Sequence, residues 1–245
     1  MADSLRRWRM GDVLAAVTIA VVVPSALAAA RAPRWWAWIA SESTPMTWLQ
    51  SVVLLGCAGL ALLQAALIDL RGPLPTASAS PGRQRGTWLL VAAGFTALAL
   101  DERFALHERV RDRVLAPRGV RLPFADWMAP GDFILLAVLV AGLFALPALY
   151  RQLRADRTAL VLFGVGLALT ASALLADSYD PARMSLPAER LEQTLEECVE
   201  LGAALSYLTA LLLALLTRLA ERDVQPEAIE KTSVPAADLT EDASA

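Results

Sequence analysis

Long apolar runs alternate with short polar breaks along the whole chain. Six runs, at about 11–30, 48–68, 87–113, 132–150, 158–177 and 192–219, each approach the roughly 20 residues that cross a bilayer as a helix. The apolar part of each run ends in charge, or in Pro and Gly. The short alternating segments that build closed barrels do not occur. The pattern predicts an all-α polytopic transmembrane helical bundle of six spans, covering residues 1–220. A short tail follows at 221–245; it is acidic, lacks aromatics and is expected to be disordered.

Composition agrees. The 245 residues are 56% hydrophobic with a mean hydropathy of +0.48, well above a soluble domain. A net charge of −3 and the lack of a basic, aromatic-interleaved patch argue against a nucleic-acid partner. The lipid bilayer is the partner the composition implies. Cys57 and Cys198 lie inside apolar runs, as buried thiols rather than a disulfide framework or a metal knuckle. The N-terminus has the basic start, apolar core and small residues of a signal peptide. Its apolar stretch is long for that purpose, and an uncleaved first span is the better reading.

Orientation follows from positive charge. Of the 22 Lys and Arg residues, twelve fall on the side of both termini and ten on the other. Six of those ten share one long, charge-mixed connection, where Arg103 and Arg109 can pair with nearby acids. Both termini are therefore expected in the cytoplasm, with the protein in the inner membrane. The run RWWAWIA, from Arg34 to Ala40, reads as an interfacial aromatic belt. The stretch from Arg71 to Gly86 reads as a Pro/Ser/Gly-rich loop.

Against this background the acids stand out. Asp101, Glu102, His107 and Glu108 close the third run, Asp177 closes the fifth, and Glu192, Glu196, Glu197 and Glu200 open the sixth. Six antiparallel spans bring those three ends to one membrane face, whichever way the bundle is oriented. Ionisable groups near hydrocarbon depth usually face a bundle interior. At about 100° per residue, Asp101 and Glu108 fall about 20° apart on one stripe, with Glu102 about 100° to one side and His107 flanking Glu108 on the other. Glu192, Glu196 and Glu200 climb one face of the sixth helix, with Glu197 beside them. The bland alternatives are first-turn acids favoured by the helix dipole, above all Glu192, and salt bridges to Arg103 or Arg109.

The predicted ligand set is Asp101, Glu102, His107, Glu108, Asp177, Glu196, Glu197 and Glu200. Carboxylates with at most one imidazole suit a divalent metal ion of the Mn, Fe, Mg or Ca kind better than copper or structural zinc. The sole histidine rules out histidine-rich oxygenases, and Glu-x-x-His is absent. No nucleophile elbow and no phosphate-binding Gly loop occur, so no nucleotide cofactor is expected.

The pairing of Asp-Glu-x4-His-Glu at 101–108 with Glu-Glu-x2-Glu-Leu-Gly at 196–202 resembles a group of uncharacterised bacterial multi-pass membrane proteins. The resemblance implies that these acids belong together and carries no reaction with it. Three function classes stay open. One is membrane-embedded chemistry or cation handling at a bound divalent ion, with a small-molecule or lipid-like substrate. Another is a proton- or ion-coupled transporter or channel. The last is a non-catalytic membrane subunit whose acids contact a partner.

Overall fold

The structure, a computed structural model, describes residues 2–40, 43–71, 80–124, 133–177 and 184–223. The expected tail lies almost wholly outside them. Among the described residues all regular structure is helical. The long helices are α1 (Ala2–Ala30), α2 (Pro45–Arg71), α3 (Pro81–Phe104), α5 (Phe133–Leu153), α6 (Arg157–Asp177) and α7 (Leu186–Asp223), with a short α4 (Leu106–Val110) after α3. The Trp-rich run forms a 3-10 turn at Trp35–Trp38.

Among the described residues, four helical stretches are long and apolar enough to cross a membrane: Met10–Ala30, Pro45–Leu70, Arg157–Ala176 and Leu186–Ala220. α3 falls short by composition. Its charge-free part, Gly86 to Leu100, rises only about 22 Å. The expected loop at 71–86 is partly helical, because Ser80 takes the N-cap position and Pro81 opens α3.

The helices form a ring. α2 packs on α3, α3 on α5, α5 on α6, α6 on α7, and α7 back on α2; α1 lies outside, against α7. The interior holds Cys57, Ala61 and Ala65 of α2, Trp88 and Phe95 of α3, Leu153 of α5, Phe163 of α6, and Tyr207 and Leu211 of α7. Small residues on α2 let the helices approach closely, as bilayer-embedded helices require. α1 docks through Ala16, Ala20, Leu27 and Ala28 against Leu201, Ala204 and Leu205. Its other face exposes Leu14, Val17, Val21 and Val22, an arrangement suited to lipid.

Tyr207 is the junction at the centre. Its ring lies 5.3 Å from Phe95 and 4.9 Å from Phe163, and its hydroxyl is 2.9 Å from the Thr170 hydroxyl. A Cβ at Gly166 would stand 2.6 Å from that ring, so only glycine allows α6 to come so close. α3 thus meets α7 across the ring, while α6 meets it side by side.

One expected helix is two. The run read as continuous over 87–113 breaks at Ala105, whose φ of 46° and ψ of 51° are left-handed. The chain restarts as α4, then passes through a wide turn at Arg111–Leu115 and a 3-10 turn at Ala116–Arg118. Neither Gly nor Pro marks the break. The Asp101 carboxylate makes it, taking the His107 main-chain N–H at 2.8 Å and the His107 Nδ1 at 2.7 Å. A side chain caps the restarted helix from the turn before.

Candidate metal centre

The antiparallel register that sets Phe95 beside Tyr207 also sets the last turn of α3 beside the early turns of α7. There Glu102, Glu197 and Glu200 each present a carboxylate oxygen, and the three oxygens lie within 4.8 Å of one another. Glu197 and Glu200 lie on neighbouring turns of α7, and Glu102 reaches them from the opposite helix. Oε2 of Glu197 is sealed from solvent. Below them α7 turns apolar at the fully buried Leu201, so the acids stand at a boundary. Carboxylates this close repel unless a proton or a cation is shared among them. Three oxygens at this spacing can converge on one hard cation.

The remaining expected ligands are arranged differently. Asp101 and His107 bind each other in the Ala105 turn. Burial works to raise the Asp101 carboxyl. The His107 ring and the main-chain N–H groups of His107 and Leu106 outweigh it, holding the group below its ordinary range. Glu108 lies 3.3 Å from Arg111, which also holds Asp112 at 2.9 Å. The expected stripe joining Asp101 to Glu108 does not form, because the left-handed Ala105 resets the angular register between them. Glu196 is half-buried on α7 but is not one of the three converging acids. Asp177 ends α6, and its side chain lies outside the described residues. Glu192 is no first-turn acid: α7 begins at Leu186, Glu189 occupies its first turn, and Oε1 of Glu192 is shielded from water.

The aromatic turn adjoins this end. The Arg190 guanidinium lies 4.2 Å above the Trp36 ring, and that of Arg31 lies 5.0 Å from Trp38. These cation–π contacts tie the turn to α1 and to the start of α7.

At the opposite end of the ring lies a second polar layer, which the sequence patterning does not single out. Arg218 is only 2% exposed, and its Nη1 donates to the carbonyl and Oε1 of Gln64 at 3.2 and 2.9 Å. Asp156 is 3% exposed; its Oδ1 accepts the N–H groups of Thr158 and Ala159, and its Oδ2 accepts the Thr217 hydroxyl at 2.6 Å. Gln84 and Gln152 are buried at the same end. The signal that could have found this layer is amide and Arg side chains inside apolar runs, which bury only when they find partners. Between Glu200 and Arg218, α7 rises about 27 Å, close to the hydrocarbon thickness.

Residues 7–215 match the model of a family described as Domain of unknown function (DUF8692), and the chain belongs to that family. No curated protein and no solved structure matches it.

Proposed function

We propose that the chain is a six-span inner-membrane protein that holds a divalent cation between Glu102, Glu197 and Glu200 at the extracytoplasmic face. The ion would serve membrane-embedded chemistry or cation handling on a small-molecule or lipid-like ligand. The observation that carries this reading is the meeting of three carboxylate oxygens from two antiparallel helices within 4.8 Å. A cation there turns mutual repulsion into coordination and supplies a Lewis acid at the membrane boundary.

Two further features support the placement. α3 and α7 both run between the two polar layers, which supports α3 as a span despite its short charge-free part. The Arg-rich ends at Arg83, Arg85, Arg151, Arg154 and Arg218 share the Arg218 side, which supports a cytoplasmic reading of that side. The packed rings of Phe95, Phe163 and Tyr207 between the layers favour a closed site over a polar path across the membrane.

Metal analysis tests the reading. Full-length protein reconstituted with Mn²⁺ and desalted should retain stoichiometric metal. Glu102→Gln and Glu200→Gln should lose most of it, and Glu189→Gln should keep it. Equal content in all four proteins, or none in the parent, overturns the reading.

A further inference from the structure

Gln50 of α2 stands at the same level as the three acids. Its amide Nε2 donates to the main-chain carbonyl of Glu197 at 3.0 Å, which ties it to the segment of α7 that carries Glu197 and Glu200. The Asp69–Arg85 pair, at 2.8 Å, fixes an antiparallel register between α2 and α3. Carried along both helices, that register sets Gln50 beside the last turn of α3, where Glu102 lies. Gln50 is thus held at the junction of the three helices that meet around the carboxylates.

Its burial is nearly complete, with 1% of the residue exposed. The Nε2 end is committed to Glu197. Oε1, the other end of the amide, is sealed from solvent and has no hydrogen-bond donor among the described residues. A buried amide oxygen without a donor is costly, and native interiors seldom keep one without a partner. An amide oxygen is also a standard ligand of hard divalent cations, which take carbonyl and carboxylate oxygens together.

We propose that Gln50 gives its Oε1 as a neutral oxygen ligand to the cation held by Glu102, Glu197 and Glu200. The inference rests on the cation reading above and deepens it. The site is then built from oxygens alone, contributed by α2, α3 and α7, and it takes an ion of the Mg²⁺, Ca²⁺ or Mn²⁺ class. The hydrogen bond from Nε2 to Glu197 orients the amide, as supporting contacts commonly orient metal ligands. The neutral ligand limits the negative charge gathered at the membrane boundary, and binding the ion clamps three helices at once.

Two substitutions separate ligation from architecture. Gln50→Met keeps much of the volume but offers no hard oxygen. Gln50→Glu keeps an oxygen ligand and adds charge, but it cannot donate to the Glu197 carbonyl. Mn²⁺ titration of the full-length protein, followed by electron paramagnetic resonance of the free ion, reads both. Gln50→Met should weaken Mn²⁺ binding by about tenfold or more. Gln50→Glu should bind at least as tightly as the parent. A purely architectural amide would make both variants weak, because both lose the hydrogen bond to Glu197. Parent affinity in Gln50→Met, or weakened binding in Gln50→Glu, overturns the Gln50 assignment and leaves the three-acid site standing. If Gln50→Met does not fold, the Gln50→Glu result decides alone. Absence of Mn²⁺ binding by the parent overturns both.

Discussion

The two polar layers at the ends of the ring bury similar chemistry to different effect. In the Arg218 layer, unlike groups are matched: a guanidinium faces an amide and a carbonyl, and a carboxylate takes two main-chain N–H groups and a hydroxyl. In the Glu102 layer, like groups are brought together. Burying a matched set holds helices in register, since each group replaces the water it lost. Gathering three acids works against the fold unless something cationic joins them. The lesson is that the balance of charge, rather than burial alone, separates the layer that holds the bundle from the layer proposed to bind a cation.

The comparison is broken most severely by removing its structural half. Arg218→Met deletes the guanidinium and leaves the Gln64 acceptors buried, a loss of about 3 kcal/mol. A thermal melt should show it, with Mn²⁺ affinity unchanged. If affinity fell in step with stability, the two layers would be one unit, and the division drawn between them would fail.

Gly166→Ala probes the packed rings between the layers. The added methyl meets a Tyr207 ring that Phe95 and Phe163 hold from other sides, at a cost of about 1–3 kcal/mol. The same melt measures it. A neutral result would mean that α6 can slide, and that the layers are not rigidly spaced.

Acid sharpens the acidic end. The Asp101 carboxyl is lowered in the folded protein, so its contribution is full above its ordinary value and is lost as pH falls through the lowered one. The His107 amide, bonded to Asp101, should resist hydrogen exchange near neutrality. Asp101→Asn should weaken that protection at every pH above the lowered value. Protection that is the same in Asp101→Asn would remove Asp101 as the cap of α4.

The smallest effect has the opposite sign. Ala105 is left-handed, a conformation that costs an L-residue roughly 1 kcal/mol and glycine little. Ala105→Gly should leave stability unchanged or raise it by up to about 1 kcal/mol in a melt. Marked destabilisation would show that the break at Ala105 is not the native arrangement.

How much of this could be read from sequence varied with its physical origin. α6 begins within one residue of its expected start, because Arg157 and Asp177 bound one apolar run. The meeting of the α3 end with the α7 start followed from antiparallel topology alone. Which acids meet did not. The segment Ala105–Leu106 has high helix propensity, and its break depends on a side chain, Asp101, folding back onto His107. No periodicity encodes that contact: by periodicity Asp101 and Glu108 share the inward stripe, whereas in the fold Glu102 stands opposite α7. Arg218 stands at the end of the sixth apolar run, where a charge ordinarily meets water; α7 continues past it to Asp223 and buries it. Gln50 carries no charge and sits in an apolar run, so its position became informative only when its neighbours on α3 and α7 were known.

The central claim, that the three acids bind a cation, is tested most directly by the melting order of the parent and Glu200→Gln with and without Mn²⁺. In chelator, removing one of three crowded charges should raise the midpoint of Glu200→Gln above that of the parent, by the equivalent of about 1 kcal/mol. At about one hundred times the dissociation constant, Mn²⁺ should stabilise the parent by about 2.7 kcal/mol and the variant far less. The account predicts that the order of the two midpoints reverses on adding Mn²⁺. A parent midpoint that Mn²⁺ does not move, with the order unchanged, would contradict it.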